Sequence, residues 1–162
     1  MASFPYNVIT KKWEKVVNMF FGTYSHKLDV KGRLMIPAKF RREITGTALY
    51  LLRGFEGSVS LFSEDAFQKY MDNLKTLSYN DSEARAYLRV MLSSVVELPI
   101  DGVGRLLFPK ATLETYKLSE EVVVVGVGDH FEVWDKPVWD AYISEKNANI
   151  SEIADRLEVK HG

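Results

Sequence analysis

The sequence contains no cysteine, which excludes disulfide staples, thiolate metal sites and cysteine nucleophiles and agrees with a cytoplasmic setting. No stretch approaches the roughly 20 apolar residues that span a bilayer. The longest, VVVVGVG at 122–128, has the size of a strand. The opening MASFPYNVITKKWEKVVNM has no basic start followed by an apolar block, which argues against a secretory signal. Histidine is scarce, and His26, His130 and His161 share no metal-ligand spacing. Gly126 and Gly128 start a dinucleotide-type pattern that fails at Phe131, so both read as hairpin-turn glycines. The DGVGR at 101–105 lacks the Gly-Lys-Ser/Thr of a phosphate-binding loop. These absences leave no catalytic constellation, no metal and no cofactor, and the sequence reads as that of a non-enzyme.

What is present is ample material for a core. The 162 residues suit one domain or two small ones sharing a core, and 46% apolar with 12% aromatic residues is enough to fill it. The net charge of −1 hides a polarity. Residues 1–42 carry nine Lys/Arg against Glu14 and Asp29, giving +7, while the remaining 120 residues carry −8. A basic end on a neutral protein is where a polyanion would bind. A solvated face without a partner is the plainer reading.

The stretch LDVKGRLMIP at 28–37 returns as IDGVGRLLFP at 100–109. An offset of 72 residues pairs Asp29 with Asp101, Gly32 with Gly104, Arg33 with Arg105 and Pro37 with Pro109. The same offset, expected to run without a gap, pairs Gly54 with Gly126, Phe62 with Trp134 and Tyr70 with Tyr142. This is an internal duplication, and two copies point to a pseudo-twofold pair around one core. Each copy reads as strand, turn, strand, short helix, hairpin and helix. In the turn, Asp can accept backbone N–H bonds and Gly can take a positive φ. The proline suits the first turn of the short helix.

Ser63 and Asp135 are placed to cap the closing helices, and Asn80 with Glu83 has capping-box spacing for a linking helix. Tyr87, Leu88, Met91 and Leu92 form an apolar stripe on that helix, suited to core or subunit contact. The organisation therefore reads as a leader at 1–18, a first repeat at 19–78, a linking helix at 79–93 and a second repeat at 94–148. Residues 149–162 follow as a short helix or a disordered tail.

The duplication supplies an internal control. Lys27, Lys31, Lys39, Arg41 and Arg42 surround the first turn, where the second copy has Pro99, Val103, Ala111, Leu113 and Glu114. If the fold alone needed these cations, both copies would carry them. Asp101 with Arg105 is explained by pinning a hairpin, whereas the first copy is recruited for an anionic partner. A nucleic acid is the simplest such partner. Lys and Arg neutralise phosphates, and an Arg on a rigid turn can reach guanine edges. Phe20, Phe21, Tyr24 and Phe40 are expected in the core rather than exposed for base stacking, which favours double-stranded DNA over single strands.

The stretch MFFGTYSHKLDVKGRLMIPAKFR from Met19, together with the tandem Asp29/Arg33 and Asp101/Arg105 motifs, resembles the MraZ family of bacterial regulators of the division and cell-wall gene cluster. The resemblance runs to about Glu145. It implies an α+β fold in which tandem pseudo-twofold strand-turn-helix-strand units form a small AbrB-like swapped-hairpin β-barrel with flanking helices. It further implies a homo-oligomeric ring, octameric or similar, that binds direct repeats in promoter DNA and is nucleoid-associated. By motif, the family's DNA-contacting arginine falls on Arg33, with Lys27 and Lys31 as neighbours. Lys39, Arg41 and Arg42 join them on charge alone, and Asp29, Gly32, Asp101, Gly104 and Arg105 form the structural motif. Residues 1–18 precede the usual start of the family and read as a tag remnant, an upstream start or a genuine extension. A ring-forming protein-interaction scaffold without sequence-specific DNA binding is the alternative.

Overall fold

The computed structural model describes residues 19–161. The 1–18 leader, with Lys11, Lys12 and Lys15, lies outside the described residues. The first half runs through β1 (Phe20–Lys27), β2 (Arg33–Met35), α1 (Ala38–Glu43), β3 (Ala48–Arg53), β4 (Val59–Phe62) and α2 (Glu64–Leu74). A linking helix, α3 (Ser82–Ser93), leads to β5 (Val96–Pro99), β6 (Arg105–Leu107), α4 (Lys110–Thr115), β7 (Glu121–Gly128), β8 (Phe131–Asp135) and α5 (Lys136–Ala148). The C-terminal stretch is helical as α6 (Ile150–His161). Among the described residues no helix is long and apolar enough to cross a membrane.

Six strands form one antiparallel sheet in the order β1-β7-β8-β4-β3-β5, and β2 pairs with β6 in a separate ribbon. The order reads the same from either end once the halves are exchanged. Each leading strand is lent to the other half: β1 runs beside β7, and β5 beside β3. The ribbon is centred on Leu34 opposite Leu106, both fully buried. The result is a mixed α+β body with one core drawn from both halves, including Phe20, Ile36 and Phe40 with Phe108, Phe131 and Val133. A six-residue helix such as α1 is too short to stand alone. It is held by Phe40, whose ring lies 5.4 Å from Phe20, 5.1 Å from Tyr24 and 5.1 Å from Phe131.

Several sequence expectations change here. Phe21 is not core: successive strand residues face opposite ways, so Phe20 points inward and Phe21 is 54% exposed. The 72-residue offset does not run without a gap. Arg53 is registered with Val59, and Gly126 with Phe131, so Arg53 rather than Gly54 is the counterpart of Gly126. The α4–β7 connection is one residue longer than α1–β3, and the chain between the matched pairs is one residue shorter from Gly126 to Phe131 than from Arg53 to Val59. Gly126 is thus inside β7, opposite Gly22 of β1, where a Cβ would come within 2.5 Å of the Phe20 carbonyl carbon. Close backbone approach, not a turn, explains that glycine.

The caps also differ. Asp81, not Asn80, starts α3, its carboxylate accepting from the Glu83 and Ala84 amides. Asp81 is one residue nearer the helix and reaches two of its free first-turn donors. Ser63 and Asp135 occupy cap positions without making side-chain caps. The Asp135 carboxylate is taken instead by the amide and hydroxyl of Ser119. Pro37 and Pro109 precede their helices as cap residues. Of the α3 stripe, Met91 is buried, Leu88 and Leu92 are half-buried and Tyr87 is exposed.

Candidate nucleic-acid interface

The two turns share one hydrogen-bond pattern. Asp29 Oδ1 accepts from the Lys31 and Arg33 amides, each at 2.9 Å, and Oδ2 from Arg33 Nε at 2.5 Å. Asp101 Oδ1 accepts from the Val103 and Arg105 amides at 3.0 and 2.9 Å, and Oδ2 from Arg105 Nε at 2.8 Å. Gly32 and Gly104 close the turns at φ 81° and 91°, a left-handed conformation that glycine adopts without a side-chain penalty. Their carbonyls then accept across the pseudo-twofold. The Ile36 amide donates to Gly104, and the Phe108 amide to Gly32, at 3.1 and 3.0 Å. Asp-x-x-x-Arg is a fold device in both copies.

Arg33 is therefore engaged in the same way as Arg105, and the ion pair does not tell them apart. Each pair uses Nε, so the Nη groups keep no hydrogen-bond partner among the described residues. Backbone N–H bonding, led by Arg33 and its counterpart Arg105, holds both carboxyls below their usual range, Asp101 at about 2. Both are anions at neutral pH and offset their own arginines. Net positive charge near the first turn comes from the flanking residues. His26 on β1 adds none, because burial lowers its pKa and keeps the imidazole neutral at pH 7.

Lys27 ends β1 opposite Glu121, and Lys31 is exposed at the turn beside half-buried Arg33. Lys39 and Arg42, both exposed on α1, are one helical turn apart and share a side. Lys39 Nζ stands 3.9 Å from the centre of the Phe21 ring, a cation–π contact that the outward position of Phe21 makes available. None of Lys27, Lys31, Lys39 and Arg42 makes an ion pair among the described residues. In the second half, Lys110 and Lys136 are paired within their helices to Glu114 and Asp140.

Arg41 is brought to the second turn, not the first. Its Nη1 donates to the Val103 carbonyl at 3.1 Å, and its guanidinium lies against Gly104, where a Cβ would sit 2.6 Å from Cζ. The matching residue, Leu113, packs on Gly32 in the same manner. A groove of about 530 Å³ remains beside the first turn, lined by Leu28, Val30, Leu113, Leu118 and Glu120. Neither contact was visible to charge counting; the glycine at each turn is the one sequence sign of close approach. Among the described residues no three His, Asp or Glu side chains gather into a metal site.

Fold and site together define a duplicated α+β protein whose halves exchange leading strands and in which, of the two matched segments 27–42 and 99–114, the first carries cations without an ion pair among the described residues. The family model for MraZ protein matches residues 19–90 and again 91–160, one match per half. The chain is 35% identical over 139 residues to transcriptional regulator MraZ of Mesoplasma florum, covering 86% of this chain and 95% of that protein. It is 40% identical over 137 residues to the protein of that name from Bifidobacterium longum, covering 85% and 91%. With the one from Lactiplantibacillus plantarum it shares 39% over 140 residues, covering 86% and 98%. The chain belongs to the MraZ family.

Proposed function

We propose that this chain is a transcriptional regulator that binds double-stranded DNA sequence-specifically, as a ring-shaped homo-oligomer on direct repeats in the promoter of the division and cell-wall gene cluster. One observation carries this reading: of two segments built around turns with the same geometry, only the first, residues 27–42, carries cations without an ion pair among the described residues. Relatives named as transcriptional regulators support it. The exchange of leading strands supports an AbrB-like swapped-hairpin architecture, with repeats at 19–78 and 94–148 joined through 79–93. The protein would act in the cytoplasm, at the nucleoid, without a membrane or small-molecule partner.

Arg33 offers its Nη donors to a guanine edge or a phosphate, and Lys27, Lys31, Lys39 and Arg42 neutralise phosphates around it. One such turn meets few phosphates and binds weakly. Copies held at fixed spacing make later contacts intramolecular, raising avidity by roughly 10²–10⁴ where the repeats match that spacing. Repeats are then read as an array.

The test is retention on a DNA fragment bearing short direct repeats, with retention falling as salt rises. Indifference to both repeats and salt identifies a protein-interaction scaffold instead. Deleting residues 1–18 is expected to leave repeat binding unchanged; a large drop makes the leader a DNA-binding arm.

A further inference from the structure

We infer that Arg41 is a positioning residue: it anchors the cationic helix α1 on the second turn and is not itself a phosphate contact. The functional consequence rests on the DNA-binding reading above; the anchoring does not. Helix α1 has six residues and bears Lys39 and Arg42. Phe40 ties its inward face to the core. Arg41 supplies a second tether. Its guanidinium donates to the Val103 carbonyl and lies against Gly104, whose own carbonyl accepts from Ile36 just ahead of α1. The loop from α1 through the second turn and back to the start of α1 is thereby closed.

The other half lacks this arrangement. Leu113 stands at the matching place and rests on Gly32, and the helix α4 it belongs to has its Lys110 neutralised by Glu114. The guanidinium anchor occurs where the short helix has free cations to hold in position. Lysine would serve a phosphate equally well as a point charge, but it cannot lay a planar fork across a glycine. That difference separates the two roles.

The experiment uses the full chain unaltered, with Arg41→Lys and with Arg41→Leu, the residue that the matching position already accommodates. Binding is measured across salt concentrations to a duplex taken from upstream of the chain's own reading frame, alongside hydrogen exchange at the Ile36 and Gly104 amides. Both variants are expected to bind about three- to tenfold more weakly with an unchanged salt slope, and to exchange faster at both amides. The cost of adding Arg42→Ala is expected to shrink in either background, because the two positions are coupled. Unaltered affinity in Arg41→Lys, or a salt slope shallower by about 0.9 in Arg41→Leu, would overturn the inference in favour of a phosphate contact. If the unaltered chain ignores the duplex, the DNA reading fails separately. Exchange then decides the anchor, and equal protection in all three proteins rejects it.

Discussion

The two turns of this protein are built alike and equipped differently. Both close on an aspartate that collects two amides and an arginine Nε, and both pass a glycine carbonyl across the pseudo-twofold. They differ in neighbours: unpaired Lys27, Lys31, Lys39 and Arg42 on one side, and Pro99, Val103, Ala111 and Glu114 on the other. They differ also in support, since Leu113 rests on the first glycine and Arg41 on the second. The shared part belongs to folding, and the unshared part is where binding is to be sought. A duplicated protein thus carries its own reference state.

Substitutions at matched positions break or sharpen this contrast. The largest effect is expected on the inward faces of the short helices, where Phe40 and Thr112 occupy equivalent buried places. Phe40→Ala should destabilise the chain by about 3–5 kcal/mol, and Thr112→Ala by less than about 1 kcal/mol, both read from denaturant unfolding. Next, Arg33→Ala should abolish repeat-specific DNA binding while Arg105→Ala preserves it. Because the two ion pairs are alike and each about one-third exposed, both variants should lose the same modest stability, about 1 kcal/mol or less. Equal loss of DNA binding in two folded variants would end the division of labour.

Smaller effects should appear in the salt dependence. Lys31→Ala and Lys39→Ala should each flatten the log–log salt slope by about 0.9, whereas Lys110→Ala, whose ammonium is paired with Glu114, should leave it unchanged. The smallest effect is on pH. Both turn carboxyls are depressed on folding, so their stabilisation is complete above the unfolded carboxyl value of about 3.9. It is lost as pH falls towards the folded values, about 2 for Asp101. Acid unfolding should therefore show a loss of stability between about pH 4 and pH 2, reduced in Asp101→Asn.

Short-range chemistry made much of this legible. The Asp, Gly and Arg of each turn recur at the expected 72-residue separation, and so do the strands β2/β6 and helices α1/α4 that follow them. The added and lost residues around β7 escaped notice because they cancel in the count. Hydrophobicity alone points Phe21 inward and does not register the alternation of a strand whose outward face sets an aromatic ring against Lys39. The contact of Arg41 with Val103 spans 62 residues, beyond any local pattern. Asn80 and Asp81 are both good cap residues, and only geometry chooses between them.

The exchange of leading strands has a consequence for biosynthesis. Phe20, at the beginning of β1, finds its neighbour in Gly128. At a ribosomal rate of about 5–20 residues per second, the nascent β1 stays unmatched for on the order of 5–20 seconds while an apolar half-sheet is already outside the exit tunnel. Long-range pairing of this kind closes late, and a polypeptide released before β7 is translated would have no partner strand for β1.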